Sequence, residues 1–392
     1  MSPVSRGIDR VKVVFDEPGL VADAGLVLVA TLVSRLGLEA LVDATVRLTD
    51  RAGGFRPGRK VLTLVHAMVA GASHIGHADR LRAGATAGVL GHRVMAPSTL
   101  GCFLRAFSFG HVRQLDAVIA ESLRRAWALG TGEVLHARMR KGLANTARGT
   151  RRFVEELVAR ARRAGASGEI VMRFDSGFWS HATIAVLGRL DVRYTMAVHC
   201  GNSAVASVIA SIDESAWEPI AYTPDGIAQV AEVDYKGHRL VVRRTRLVDV
   251  AQQALFPGWR HHGFLSDLAG TAVELDRFHR QHATVELAIR DIKEGSGMAH
   301  CPSGNFAANG AWLACAVLAH NLCRWTAILG QVHPADQLTV VATLRSRLVC
   351  VPGRLVNRSG TPTLRGPLHW PWQHQFNRAL VRTRALPAVA SG

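Results

Sequence analysis

Acidic residues and lysines are both scarce in this chain of 392 residues. It has 30 Asp and Glu against 47 Lys and Arg, and 42 of those 47 are arginines, which gives a formal net charge of +17 at pH 7. A charge of this sign and size predicts a polyanionic partner, nucleic acid before an anionic membrane surface. We expect such binding to weaken as salt is added, because each neutralised phosphate releases counterions.

Paired cysteines and uninterrupted hydrophobic runs are also missing. The six cysteines include no Cys-x-x-Cys pair, which is typical of reduced thiols and offers no zinc-site spacing. The longest apolar run, 307–328, contains Asn309, His320, Asn321 and Arg324, so it indicates a buried helix rather than a membrane span. With polar residues at the start of the sequence and no evident secretory signal, we expect a cytoplasmic protein without a membrane partner. Disorder is excluded because 48% of the residues are hydrophobic.

Residues 1–130 are predicted to be a helical region. Apolar residues recur there at helical spacing, and Ser98 suits the N-cap of one helix. The predicted helices are 19–36, 60–72, 98–107 and 112–129.

One part of this region, residues 78–107, has the pattern of a helix-turn-helix-like DNA reader. A short helix and a Gly-rich connection precede a helix that carries Arg105. The alternative is a set of packing helices without any groove contact, and the sequence leaves both interpretations open.

From residue 131 the pattern changes to alternating strands and helices. The predicted order is strand 133–140, helix 150–163, strand 169–175, helix 180–190 and strand 193–199. Elements of these lengths in this order favour an α/β fold with a parallel sheet. Ligands collect at the carboxyl ends of the strands in such sheets, and Asp175 lies at one of these ends.

The segment 200–262 is predicted to be a β-rich insertion within a core of 131–330. It contains a hairpin of strands 230–235 and 239–246, and a strand at 263–268 leads back to the core. The last region, 331–392, is predicted to hold a hairpin of 344–356 with 361–365, followed by a basic helix at 371–384.

Residues 278–294 are predicted to be one helix with a charged face. At 3.6 residues per turn, an arc of about 80° collects five side chains. They are His279, His282, Glu286, Arg290 and Lys293. A carboxylate among basic groups suits a site for a divalent cation and a phosphate, although a solvated helix face is the ordinary alternative.

These motifs together resemble a family. The segment 174–178 reads FDSGF, a β-rich insertion follows it, and Glu286 precedes Lys293 by seven residues. With residues 132–142 (GEVLHARMRKG) and 259–262 (WRHH), the chain resembles the DDE transposases of bacterial insertion sequences over about residues 20–385. The resemblance is to the subgroup with a β-rich insertion before the last acid, and it implies an RNase H-like catalytic core.

This resemblance implies an enzyme that binds terminal inverted repeats and transfers the DNA strands. Such transposases hold two Mg²⁺ (or Mn²⁺) ions with two Asp and one Glu, and the ions promote phosphodiester cleavage. By position, Asp175 matches the second acid and Glu286 the third, which makes both of them metal ligands and catalytic residues. The implied partners are double-stranded DNA, as transposon end and as target, and a second copy in a homodimer. The implied location is the bacterial nucleoid.

A further motif of these relatives surrounds the third acid and reads Tyr-x-x-Arg-x-x-x-Glu-x6-Lys. Glu286 and Lys293 fit it, while His279 and His282 stand at the Tyr and Arg positions. The resemblance implies that Lys293 steadies a phosphate, and His282 would take a weaker, pH-dependent part of the Arg role. We assign DNA or phosphate contacts to both histidines, Arg290 and Lys293. A zinc site at the two histidines is an alternative that lacks a third ligand.

The first Asp of the family has no counterpart before strand 133–140. The predicted helix 112–129 runs directly into this strand, so we infer an internal deletion at residue 130 that removed two strands and the first acid. The alternative is that Asp267 completes the set. We also expect strand 133–140 to lie beside 169–175 in the vacated position, with Arg138 or Arg140 near the metal site. The resulting prediction is a transposase with impaired catalysis; the alternatives are an active enzyme and a non-catalytic DNA-binding remnant that represses its parent element.

Overall fold

The computed structural model describes residues 12–48, 53–129, 134–140, 148–222, 226–247, 258–280, 283–333, 340–358 and 360–389. The chain divides into two units. Unit 1 consists of Met1–Arg138 with Arg290–Gly392, and unit 2 is Met139–Ile289. This division differs from the three predicted regions, because the C-terminal part groups with the N-terminal helices.

The described elements form a mixed α/β fold. The helices are α1 (Leu26–Arg35), α2 (Leu38–Thr45), α3 (Pro57–Val69), α4 (Pro97–Arg105), α5 (Phe109–Trp127), α6 (Thr150–Arg163), α7 (His181–Arg189), α8 (Ser203–Ala210), α9 (Ala272–Arg280), α10 (Ala283–Gly295), α11 (Phe306–Leu329), α12 (Val341–Leu344) and α13 (Gln373–Ala385). The strands are β1 (Leu20–Val21), β2 (Ile170–Phe174), β3 (Val192–Val198), β4 (Glu218–Ile220), β5 (Gly226–Tyr235), β6 (His238–Leu247), β7 (Arg260–Ser266), β8 (Gly353–Arg358) and β9 (Thr361–Arg365).

Unit 1 is built around helix α11, which confirms the predicted buried helix at 307–328. The helix packs against α1, α3, α4 and α5, and it buries Trp312 and Trp325 completely. Among the described helices, α11 has the length and apolarity to cross a membrane, but 83% of its apolar window is buried inside the protein. The helix is buried on all sides, so a polar side chain within the run needs a partner inside the protein. Asn321 has one, because its amide bonds to the backbone of Val134 in unit 1.

Both ends of the chain contribute to a small sheet in unit 1. Its strand order is β1-β8-β9, and all of its pairs are antiparallel. Leu355 and Leu364 from the β8–β9 hairpin pack against Val21, Ala24 and Val89. Strand β1 pairs with Gly353 and Arg354 of β8, and the C=O of Gly19 accepts the N–H of Leu355, so among the described residues the hairpin is two strands wide only from Val356 onward.

Unit 2 contains one six-stranded sheet in the order β2-β3-β7-β6-β5-β4. Strands β2 and β3 are parallel, as predicted for 169–175 and 193–199, whereas the other pairs are antiparallel, and the predicted third parallel strand at 133–140 is not in this sheet among the described residues. The antiparallel pair of β5 and β6 follows from the tight turn between them. Lys236 and Gly237 both have positive φ there, as a two-residue hairpin requires. The predicted hairpin is thus confirmed, and it extends the sheet of the core.

The sheet of unit 2 is covered by helices on both faces. On one face, Val154 and Val158 of α6 and Leu187 of α7 share a buried cluster with Phe174 and Tyr194. On the other face, α9 packs on a second cluster, which comprises Val230, Val241, Phe264, Ala272 and Leu275. Each face of the sheet therefore has its own apolar layer.

Several predicted elements differ from the structure. Residues 134–140 form no helix or strand, and β2 pairs with β3 alone among the described residues, so the prediction that 133–140 lies beside β2 is wrong. The Asn321 amide bonds to the N–H and C=O of Val134, which takes these backbone groups away from any ladder. Ser98 is not an N-cap, because α4 begins at Pro97. Residues 344–349, predicted as part of the hairpin strand 344–356, are helical.

The buried pair His66 and His92 makes the stability of unit 1 depend on pH. His66 Nδ1 lies 2.9 Å from His92 Nε2, and burial together with the charge of His92 lowers the pKa of His66 to about 3. A histidine of the unfolded chain has a pKa of about 6.5, so between these values the unfolded state binds a proton that the folded state does not. Stability therefore falls as the pH drops through this range.

We expect His66 to cost the protein about 2 kcal/mol of unfolding free energy between pH 7 and pH 5. Urea denaturation of the wild type and of His66→Gln at both pH values would measure this difference, since the amide does not titrate. The variant should show a pH dependence smaller by that amount, and His300→Gln, at an exposed histidine of the same unit, should not. Equal pH dependence in all three proteins would contradict the prediction.

Candidate functional site

Asp175 lies directly after strand β2, and its side chain is exposed. Its Oδ1 accepts the N–H of Ser176 at 2.7 Å, which orients the carboxylate. Ile170, Met172 and Phe174 face the core under α6 and α7. Because successive side chains of a strand alternate, Asp175 points to the opposite face, the one that carries α9.

Helix α9 reaches this same end of the sheet with its last turn. His279 stacks on Phe264, with ring centroids 4.1 Å apart, and its Nδ1 lies 2.8 Å from Thr195 Oγ1. Phe264 pairs with Ala197, and Asp175 continues β2 into the row of Ala197. Two strand spacings, about 10 Å, thus separate the backbones of Asp175 and Phe264.

The predicted phosphate contact of His279 does not suit its position. The residue is 4% exposed, and its ring belongs to the interface between α9 and the sheet. This burial argues for a role in positioning α9 rather than in touching DNA. His282, the other predicted histidine, lies outside the described residues.

The remaining predicted residues lie on helix α10. Glu286 is in its first turn and is exposed, and Arg290 and Lys293 are exposed farther along the same helix. Helical spacing places both cations within about 40° of Glu286 around the axis. The single helix predicted for 278–294 is described as two, since α9 ends at Arg280 and α10 begins at Ala283.

A buried cluster of charges holds α9 to the sheet, and sequence reasoning missed it. Asp276 is fully buried; Arg243 Nη1 lies 2.7 Å from its Oδ1, and Arg280 Nε lies 2.9 Å from its Oδ2. The ring of Tyr222 stacks with both guanidinium groups. The four-residue spacing of Asp276 and Arg280 was a visible signal of one pair. Nothing in the sequence pointed to Arg243, which comes from β6.

His262 connects this cluster electrostatically with Asp175. Partial burial and the neighbouring Arg243 lower the pKa of His262, while the carboxylates of Asp276 and Asp175 act in the opposite direction. The His262 ring lies 5.7 Å from that of His279. The carboxyl end of β2 therefore has carboxylates and cations within electrostatic range of each other.

Comparison with protein families decides what this arrangement belongs to. A family model described as Transposase DDE domain group 1 matches residues 125–388. The chain belongs to this transposase family. A comparison with curated proteins finds no match. Membership confirms the expectation of a transposase drawn from the FDSGF and Glu286 motifs, and it implies a function in DNA transposition with DNA as partner and a divalent metal ion as cofactor.

The donor set of this family member fits a divalent ion in part. Such ions prefer carboxylate oxygens, and Asp175 and Glu286 are exposed carboxylates of unit 2. Asp276 is unsuited as a further ligand because both of its oxygens face guanidinium groups. Asp116, on α5 in unit 1, contacts Arg113 at 3.2 Å and His136 at 3.3 Å.

The alternative in which Asp267 completes the metal site is wrong. Asp267 follows β7 in the row of Tyr194 and Met172, three residue steps or about 10 Å along the strands from the row of Asp175. Its Oδ1 accepts the N–H of Tyr194 at 2.8 Å, and its Oδ2 lies 3.6 Å from Arg193. The antiparallel direction of β7 puts this residue level with the middle of β2, away from Asp175.

The Asp276 cluster leads to a prediction about stability. Asp276→Ala should lower the free energy of unfolding by about 3–5 kcal/mol, because it leaves the buried Arg243 without its carboxylate. The matched control is Glu169→Ala, at an exposed pair with Arg193, which should cost about 0–1 kcal/mol. Urea denaturation compares the two variants, and equal losses would show that the buried cluster is not special.

Proposed function

We propose that this family member binds the terminal inverted repeats of an insertion sequence and retains two of the three acids of the transposase site, Asp175 and Glu286. The observation that carries the proposal is the place of Asp175, exposed at the carboxyl end of β2 on the face that holds α9. The match over residues 125–388 supports it, because both acids lie inside that range.

The course of the chain from α9 to α10 supports the proposal that Asp175 and Glu286 belong to one site. His279 is fixed beside the row of Asp175 by its contacts with Phe264 and Thr195. Glu286 follows His279 by seven residues and lies in the first turn of α10, so the length of the chain allows its carboxylate to reach that end of the sheet. His279 then acts as a positioning residue for Glu286.

Two features of the structure support the inference that a deletion removed the first acid. Helix α5 ends at Trp127, and the segment predicted as the third strand of the family's sheet starts six residues later, which leaves no length for two strands between them. Within the described residues, β2 has β3 on one side and no strand on the other. That open side is the position that the missing first strand of an RNase H-like sheet would take.

The two acids would hold a divalent ion, Mg²⁺ or Mn²⁺, that supplies charge neutralisation and an activated oxygen nucleophile. Lys293 and Arg290, on the same side of α10 as Glu286, would bind the phosphate next to the scissile bond. His282 would add a charge at acidic pH. With one ligand fewer than the family set, we expect a loss of several kcal/mol of transition-state stabilisation, which is several orders of magnitude in rate.

The partners follow from the same proposal. Double-stranded DNA would be bound as transposon end and as target, through the charge excess of +17. The proposal also includes helix-turn-helix-like DNA contacts by residues 78–107. It further includes a homodimer that binds two transposon ends and a location at the nucleoid in the cytoplasm.

The test is a cleavage assay on a duplex that carries the terminal inverted repeat of the parent element. We expect the wild type to shift this duplex in a gel but to cleave it no faster than background with Mg²⁺ or Mn²⁺. Cleavage that depends on metal and is lost in Asp175→Asn would show an active enzyme and contradict the impairment. The absence of any shift would contradict the whole proposal.

A Mn²⁺ titration tests the two acids separately from activity. Asp175→Asn and Glu286→Gln should each weaken Mn²⁺ binding about tenfold or more, because each removes a ligand carboxylate. Glu218→Gln, at an exposed carboxylate of β4, serves as the matched control and should bind Mn²⁺ like the wild type. Equal affinities in all four proteins would remove both acids from the site.

A second candidate function is that of a DNA-binding remnant that represses the parent element. The observation that favours it is that two catalytic acids are identified where the family uses three. It predicts binding of the ends in competition with the full-length transposase. A reporter under the promoter of the parent element would separate this role, since a repressor lowers expression and an inert remnant does not.

A further inference from the structure

The last 56 residues of the sequence, 337–392, carry arginine without any acidic residue. Residues 337–392 contain eight arginines and no Asp or Glu, a more one-sided composition than that of the whole chain. Three of the eight, Arg354, Arg358 and Arg365, belong to strands β8 and β9. The high net charge of the chain therefore does not by itself explain why this hairpin carries arginines and no acidic residues.

The β8–β9 hairpin separates an apolar face from a basic one. Leu355 and Leu364 are paired across the strands and pack into unit 1. Their neighbours alternate to the other face, where Arg354 is paired directly with Arg365 and both are exposed. Thr363 and Thr361 continue that face and are exposed as well.

Two arginines directly opposite each other are an unfavourable cross-strand pair. Glu17 relieves one of them, since its Oε2 lies 3.0 Å from Arg354 Nη2, but both of these side chains are more than a third exposed, so the pair is weak and open to exchange. A phosphate bound between the two guanidinium groups would remove the repulsion, and guanidinium groups bind phosphate with two parallel hydrogen bonds.

The shape of the hairpin fits the same partner. From Val356 onward, β8 pairs with β9 alone among the described residues, so this part is a ribbon two strands wide. It carries Val356, Thr361 and Thr363 on the face that Arg354 and Arg365 share at its base. A two-stranded ribbon of this width enters the major groove of a DNA duplex. We propose that the exposed face of the β8–β9 hairpin, with Arg354 and Arg365 at its base, is a contact surface for double-stranded DNA. This inference rests on the proposed function for the identity of the partner and adds the surface that meets it.

The test is the salt dependence of binding to a fluorescent duplex, measured by anisotropy with the full chain. Arg354→Gln/Arg365→Gln should weaken binding about tenfold and reduce the slope of log Kd against log salt by about 1.8, because two phosphate contacts are lost. The control is Arg152→Gln/Arg189→Gln, which removes two exposed arginines of unit 2 that pair with glutamates. It should leave the slope unchanged.

A variant with an added charge tests the same surface without removing any contact of the folded protein. Thr363→Arg adds a cation to the same face and should steepen the slope by about 0.9 while the thermal midpoint stays constant. If wild type and all variants bind the duplex with one slope, the hairpin is not the contact and the proposed function stands. If the wild type binds no duplex at all, the proposed function fails and this inference fails with it. Loss of binding to polyglutamate in the double variant, with DNA binding intact, would point to an acidic protein and overturn the proposal.

Discussion

The buried ion pair between Asp276 and Arg243 fixes helix α9 on the sheet of unit 2, and the candidate site depends on that attachment. Two charges taken out of water are tolerable only when each meets its partner, so the pair specifies one position of α9 along the sheet. The stacking of His279 on Phe264 then sets the last turn of the helix beside the row of Asp175. Every residue that follows, Glu286 included, starts from that anchored point.

Local patterns in the sequence predicted most of the elements but not their partners. The alternation of Ile170, Met172 and Phe174 gave β2 and the place of Asp175, and the turn at Gly237 gave the hairpin. The same alternation at 134–140 predicted a strand that does not form, because period two describes any extended segment, and Asn321 binds its backbone instead. The partners of β7 were not predictable either, because strand pairing depends on residues far apart in the chain.

The site was predictable where a residue type and an element end coincide, as at Asp175. It was not predictable where arginine is used for structure. Arg244 is held between the rings of Trp217 and Trp259, and Arg345 donates to backbone carbonyls that include that of Val69. Some of the basic residues therefore make structural contacts within the protein, and net charge alone overstates the surface available to DNA. The contacts of these side chains, rather than their number, distinguish a DNA surface from a structural network.

Unit 1 is assembled from both ends of the polypeptide, whereas unit 2 is one continuous stretch. During synthesis the helices α1 to α5 leave the ribosome long before α11, which packs between them, and β1 has no partner until β8, more than 300 residues later, has been made. Unit 2 has all of its strands available while the first helices still lack their central partner. The apolar faces of those helices stay uncovered for most of translation, which is the period in which a nascent chain is most open to aggregation and to capture by chaperones.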